Sequence, residues 1–189
     1  TALRAEMGVK APQYTTVLCL ADKEEIGSQG NTGLNADYLL HYLTYLAEGQ
    51  GADVKGVLAA SKCLSADVSA ALDPTFDDVF EPHNAARLNH GVVVMKYTGA
   101  RGKSDASDAS AETMAFVAGL LDASSVVWQA GELGKMDAGG GGTVAKYVAQ
   151  HNVDVVDIGV PLLSMHAPYE IAAKLDIYMC YRAFCVFAE

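Results

Sequence analysis

The chain alternates strand-length apolar runs with helical patterns, and this alternation limits the folds open to it most strongly. Runs rich in β-branched residues predict strands. They lie at Thr15–Ala21, Gly56–Ser61, Gly91–Tyr97, Ser125–Gln129 and Val153–Ile158. Several of the runs are apolar on both faces, which is typical of a sheet that is covered on two sides.

Helical patterns separate these runs. Leucines at helical spacing indicate a helix over Asn35–Glu48. Further helices are predicted over Ser107–Leu121, over Gly142–His151, and from about Tyr169 to the end of the chain. The alternation predicts an α/β fold, a three-layer αβα sandwich around a mixed, mostly parallel sheet. With 189 residues, of which 51% are hydrophobic, the chain is long enough for one core and is interpreted as a single domain.

The charge balance excludes two classes of partner. Lys and Arg total 13 against 23 for Asp and Glu, which gives a formal net charge of −10. This charge opposes binding to nucleic-acid phosphates and to anionic membrane surfaces, so neither partner is expected. The cysteines form no CxxC pair and lie in apolar contexts, which predicts buried free thiols and a cytoplasmic, reducing location. They are Cys19, Cys63, Cys180 and Cys185.

An acidic pair, Glu24 and Glu25, follows the first predicted strand and precedes a Gly-Ser turn. Adjacent side chains at a strand end can point in different directions. One carboxylate could then bind a metal while its neighbour takes a proton from the attacking water. The alternative is a solvated charged turn without a function.

Asp67 and His166 are two further candidate ligands. Asp67 comes after a predicted strand among small residues that leave room for an ion, although it could instead cap a short helical turn. His166 follows a later strand through a proline-containing loop, although a lone histidine can equally be structural. Ligands of open α/β sheets bind beyond the carboxyl ends of strands, so we expect these side chains to gather at one edge. Histidine and carboxylate are ligands of catalytic zinc, but this set is too small for two metals.

The strings ADKEEIGSQGNTG, SADVSAALDP, GGGGTVAK and DIGVPLLSMHAPYE occur in this order. They resemble successive motifs of the aspartyl aminopeptidase and vacuolar aminopeptidase I family of dinuclear zinc exopeptidases. The resemblance implies a metal-dependent aminopeptidase that removes N-terminal residues from peptides, with two zinc ions, or cobalt or manganese in their place, in a homo-oligomer that would be a dodecamer. Because proteins of that family are much longer, residues 1–189 are expected to be the C-terminal portion of a catalytic domain, with upstream strands and an inserted domain outside this chain.

The resemblance also implies residue roles. Glu24 would be the general base, Glu25 and His166 would ligate one zinc, and Asp67 would ligate the other. A further histidine and a bridging aspartate of the family have no counterpart before Asp22, so the site is expected to be incomplete as given. The alternative is a catalytically incomplete fragment or paralogue that acts as an assembly or interaction module.

Substrate contacts are assigned to two further places. Lys96 resembles a lysine associated with the side-chain pocket of members that prefer acidic residues, but the loop after it lacks the tyrosine of those members. Lys96 could instead be a strand-end lysine that keeps its ammonium in solvent. The backbone of Gly140 and Gly141 could approach the substrate closely, or the stretch could be a flexible entry to a helix.

Overall fold

The computed structural model of the protein describes residues 1–101, 104–135 and 137–189. Its helices are α1 (Ala2–Glu6), α2 (Tyr38–Gly49), α3 (Val54–Ala60), α4 (Ala111–Ala123), α5 (Ala145–Ala149) and α6 (Lys174–Ala188). Its strands are β1 (Lys62–Ala70), β2 (Val92–Met95), β3 (Tyr97–Ala100), β4 (Ser104–Asp108), β5 (Trp128–Ala130), β6 (Asp154–Leu163) and β7 (Ile171–Ala172). Among the described residues, no helix has the length and apolarity to cross a membrane.

The main sheet has the order β1-β6-β2-β5, and β7 also pairs with β6. Strands β1 and β6 are parallel, as are β2 and β5, whereas β2 runs antiparallel to β6. Strands β3 and β4 form a separate antiparallel hairpin. The mixed sheet and the α/β fold class are therefore as the sequence predicts.

Helices cover both faces of the sheet because the residues of β6 alternate between two cores. Val156 and Ile158 pack in one cluster with residues of α1, α4 and α6. Val155, together with Val153 just before the strand, packs on the opposite face, where both meet residues of α2, α3 and α5. Successive side chains of a strand point to opposite faces, so a strand that is apolar throughout needs this double cover. The arrangement is the three-layer sandwich that the sequence predicts.

Two predicted strands are wrong. Residues 15–21 form no strand, because in the described part of the chain they pair with no other segment; the single bridge between Asp22 and Gly33 comes directly after them. Gly56–Ser61 belongs largely to helix α3, whose N-terminus is capped by Asp53: its Oδ2 accepts a hydrogen bond of 2.9 Å from the Gly56 N–H. This cap and the burial of Leu58 against the sheet outweigh the strand preference of the valines.

The position of Asp67 also differs from the expectation. It lies within β1, opposite Gly159 of β6, and not beyond the end of a strand. The strand was missed because its sequence is rich in Ser and Ala, while its burial comes from Ser65 and Ser69 and not from large apolar residues. Asp67 therefore lies within the sheet, three residues before the C-terminal end of β1 at Ala70.

The cysteines are free thiols, as predicted. Cys180 is buried and the other three are partly buried. Burial raises the pKa of Cys63 to about 12 and that of Cys180 to about 11, so both are unreactive thiols near neutral pH.

A carboxylic acid, Asp157, lies in the middle of the sheet and is only 3% exposed. Its Oδ2 accepts a hydrogen bond of 3.3 Å from the Thr98 hydroxyl, whereas Oδ1 has no hydrogen-bond partner among the described residues. Burial raises the pKa of Asp157, although the nearby hydroxyls of Ser65, Thr143 and Thr98 act in the opposite direction. The native state therefore disfavours the charged form of this side chain.

We expect Asp157→Asn to be more stable than the wild type at pH 7, because asparagine keeps an oxygen acceptor for Thr98 and removes the buried charge. The folded-state pKa lies above the ordinary value of 3.8, so ionisation costs the native state free energy at neutral pH and not in acid. The difference in unfolding free energy should therefore shrink as the pH falls below about 4.

Urea unfolding at pH 7 and at a pH below about 4 measures this difference in unfolding free energy. Asp78→Asn, at an exposed position, is the matched control and should stay within about 0.5 kcal/mol of the wild type at each pH. An Asp157→Asn protein that is less stable than the wild type at pH 7 would contradict the prediction.

Candidate metal centre

The acidic pair lies in a tightly constrained turn. Glu24–Ile26 form one turn of 3-10 helix between Lys23 and Gly27, which both have left-handed backbone with φ of 61° and 83°. The Ser28 N–H donates to the Lys23 carbonyl at 2.8 Å, which closes the turn. The Tyr147 hydroxyl of α5 donates to the Gly27 carbonyl at 3.0 Å and ties the turn to the rest of the fold. A left-handed lysine is costly, and such residues cluster at functional sites.

His166 lies in a second constrained loop, three residues after β6. Ser164 and His166 both have left-handed backbone, with φ of 59° and 66°. The Ala167 N–H donates to the Ser164 carbonyl at 2.9 Å. The carboxylate of Glu170 accepts a hydrogen bond of 2.6 Å from the His166 N–H. These contacts fix the backbone while the imidazole stays exposed.

The fold brings the two loops together. His166 Nε2 lies 3.4 Å from Glu25 Oε1, and the side chains are 70% and 74% exposed. An imidazole nitrogen and a carboxylate oxygen thus face each other in a position that solvent ions can reach. The sequence predicts that these two residues are close, and they are; their roles as ligands stay a prediction.

Glu24 and Asp67 share the electrostatic environment of this pair. Burial raises the pKa of Glu24, and the charges of Asp67 and Glu25 raise it further, whereas His166 lowers it. Desolvation by the surrounding protein also raises the pKa of Asp67, although the residue keeps solvent access. The hydrogen bond from the Val68 N–H lowers this pKa. The charge of Glu25 raises it further, and His166 lowers it. The three carboxylates repel one another, and a cation among them would relieve that repulsion.

The donor types suit zinc, which binds histidine nitrogen and carboxylate oxygen. Their number is smaller than a closed site needs. Within the described residues, no group of three or more His, Cys, Asp or Glu side chains is close enough to hold one ion. Glu25 and His166 therefore supply two donors to a shared position, fewer than the three protein ligands usual in catalytic zinc sites.

Lys96 lies apart from this group. Because β2 runs antiparallel to β6, with Met95 opposite Asp157, Lys96 is toward the N-terminal end of β6, whereas His166 follows its C-terminal end. The Lys96 ammonium forms an ion pair with the Asp108 carboxylate. The structure thus gives Lys96 a partner within the chain and does not bring it together with His166.

At Gly140 and Gly141, the space around the backbone shows whether a side chain could be accommodated. Gly140 has a φ of +88°, and a Cβ atom there would lie 2.4 Å from the Gly99 carbonyl oxygen of β3. Gly141 lacks such a backbone, and a Cβ would meet only the end of the Leu133 side chain at 3.2 Å. Close packing on β3 therefore accounts for the glycine at 140, and a substrate contact there stays a prediction.

Sequence reasoning missed the residues that support the site. Tyr147 and Glu170 both lie within or directly after the motif strings, and each fixes the backbone beside a candidate ligand. Only their position in or directly after those strings could have drawn attention to them, because a lone tyrosine or glutamate carries no pattern.

Comparison with known proteins gives consistent findings. A family model described as aminopeptidase I zinc metalloprotease (M18) matches residues 2–188. A probable M18 family aminopeptidase 1 from Thermotoga maritima is 44% identical over 189 residues, which cover 97% of this chain and 42% of that protein. The crystal structure of an M18 aminopeptidase from the same species superposes with a TM-score of 0.94 at 44% identity, over 100% of this chain and 43% of that one.

A more distant neighbour shares the fold. The structure of the S. cerevisiae mApe1 dodecamer is 23% identical, with a TM-score of 0.73 over 88% of this chain and 36% of that chain. The chain thus spans well under half the length of the proteins to which it is similar.

We expect Gly140→Ala to destabilise the protein by about 1–3 kcal/mol, because alanine is strained at this φ and its Cβ would clash with Gly99. Gly141→Ala, the matched control, should have little effect, since the Leu133 side chain can move aside. Thermal unfolding of both variants measures the difference. Equal stabilities would contradict the structural role assigned to Gly140.

Proposed function

The chain belongs to the aminopeptidase I zinc metalloprotease (M18) family, and from this premise we propose that it supplies the general base and three metal ligands of a metal-dependent aminopeptidase. The observation that carries the proposal is the 3.4 Å approach of Glu25 Oε1 and His166 Nε2, from loops that are distant in the sequence.

Glu25 and His166 would hold one zinc ion, and Asp67 would contribute to a second. Zinc bound there would act as a Lewis acid that polarises the scissile carbonyl and makes water a better nucleophile. Cobalt or manganese could take the same oxygen and nitrogen donors.

Glu24 would move the proton. Successive residues of a 3-10 turn project about 120° apart, so Glu24 and Glu25 cannot both face His166. Glu25 is exposed and faces the histidine, whereas Glu24 is half-buried and senses Asp67. A Glu24 carboxylate oxygen is therefore free to take a proton from the attacking water and pass it to the leaving amine.

Peptides would be the substrates, and the protein would act as a homo-oligomer. The S. cerevisiae mApe1, which shares the fold, is a dodecamer, and we adopt the same assembly for this protein. Several large apolar side chains are exposed and would have less contact with water in an assembly than in a monomer only if a partner covers them. Tyr14, Leu20, Tyr45 and Tyr169 are each more than 70% exposed.

Zinc titration calorimetry tests the ligand assignment. Glu25→Gln and His166→Ala should each weaken zinc binding at least about tenfold, because each removes one of few donors. Glu24→Gln should leave zinc affinity within a few-fold of the wild type. Glu112→Gln and His41→Ala, both at exposed positions on helices α4 and α2, are the matched controls and should change nothing.

Release of N-terminal residues from peptides tests the base. In a longer protein that also supplies the further histidine and the bridging aspartate, Glu24→Gln should lower kcat by about 10²–10⁴-fold, as loss of a general base does. A variant that keeps turnover would show that Glu24 is not the base. A zinc-loaded protein of that length that releases no residue would contradict the catalytic role of this chain and favour the assembly module as its function.

A further inference from the structure

The turn that carries Glu24 and Glu25 has almost no apolar packing of its own. None of the residues Glu24–Ile26 is buried, and Ile26 is 68% exposed. A Cβ atom at Gly27 would meet no atom within 4 Å beyond its chain neighbours. Segments with few buried apolar contacts open easily, and the left-handed backbone of Lys23 adds strain. The shape of this turn therefore depends on its hydrogen bonds.

Most hydrogen bonds of the turn come from neighbouring residues. The Gly27 N–H donates to the Glu24 carbonyl at 2.9 Å, and the Ser28 N–H donates to the Lys23 carbonyl at 2.8 Å. Among the described residues, the Tyr147 hydroxyl is the one donor that reaches the backbone of the turn from a distant part of the sequence. Its bond of 3.0 Å to the Gly27 carbonyl therefore ties the turn to helix α5.

The Tyr147 side chain is held in place by its own helix. Ala145, two residues earlier on α5, is fully buried in the same cluster as Leu58 of α3. The Lys146 ammonium forms an ion pair with Asp105 of β4 and lies 4.8 Å from the centroid of the Tyr147 ring. Because the helix is anchored in the core and a cation lies over the ring, the hydroxyl is a fixed donor.

The position of the turn decides where both carboxylates lie. Glu24 and Glu25 belong to one turn of 3-10 helix, so a rotation of the turn would displace both side chains together. The backbone of His166 is fixed separately, by its hydrogen bond to Glu170. The 3.4 Å approach of Glu25 to His166 therefore depends on how well the turn itself is held.

We propose that Tyr147 is a positioning residue for the candidate metal centre. Its hydrogen bond to the Gly27 carbonyl keeps Glu25 directed at His166 and holds Glu24 beside it in the orientation that proton transfer needs. The inference rests on the proposed function, in which Glu25 is a ligand and Glu24 is the base. Contacts that orient a metal ligand from outside usually contribute about 10–100-fold to metal affinity or activity.

Tyr147→Phe tests the role directly. The variant loses the hydroxyl and keeps the ring beneath Lys146, so it should fold, and thermal unfolding verifies this. Zinc titration calorimetry of the full chain should show binding about tenfold weaker than in the wild type. Tyr42→Phe removes the same hydroxyl from a 52% exposed position on α2 and should leave zinc affinity unchanged.

A rescue variant separates the hydrogen bond from other effects of the substitution. Tyr147→p-aminophenylalanine places an N–H donor where the hydroxyl was, and it should restore zinc affinity to within a few-fold of the wild type. A tyrosine that only fills space would give equal affinities in the phenylalanine and p-aminophenylalanine variants. That result would overturn the proposal.

Hydrogen exchange of the metal-free chain separates this proposal from the proposed function. The Gly27 and Ser28 amides should exchange about fivefold faster in Tyr147→Phe, because the turn opens more often. The His41 amide, which donates to Asp37 in α2, should not change. Faster exchange in a chain whose wild type binds no zinc would contradict the metal centre and support the role of Tyr147 in fixing the turn. Unchanged exchange, or zinc affinity equal to that of the wild type, would overturn the role of Tyr147 alone.

Discussion

Strand β6 pairs with β1, β2 and β7 and is covered by helices on both faces, and the candidate centre depends on this burial. The parallel pairing with β1 sets Asp67 opposite Gly159. A Cβ at residue 159 would lie 2.4 Å from the Asp67 carbonyl oxygen, so glycine is needed for the two strands to approach. The end of β6 then directs the chain to His166. A slip in this register would separate Asp67 from the histidine.

The strands and helices predicted correctly from the sequence are those whose secondary structure is determined by the pattern of their own residues. The valine-rich runs of β2 and β6 are buried on both faces, and a leucine pattern marks α2. The two predicted strands that are wrong failed because their structure depends on residues outside the apolar runs themselves. A cap by Asp53 makes a helix of Val54–Ala60, and residues 15–21 stay unpaired in the described part of the chain.

The candidate site also has a part that the sequence predicts and a part that depends on distant residues. The residue types at Glu25 and His166 indicate metal chemistry, and the fold brings these two side chains together. The surrounding turn geometry was not predictable, since it depends on the left-handed Lys23 and on a hydroxyl from α5. A cavity between the end of β1 and the loop after β6 was not predictable either, because its wall combines residues from separate parts of the chain.

The site also has a place in the order of folding. Strands β1 and β6 are far apart in the sequence, and a parallel pair of this kind forms slowly because a long loop must close first. Glu25 and His166 meet only once that sheet exists. A metal ion would therefore bind the folded chain and not the unfolded one, and would add stability by mass action. Such an ion would stabilise the folded chain after the sheet has formed, and it would not take part in forming the sheet.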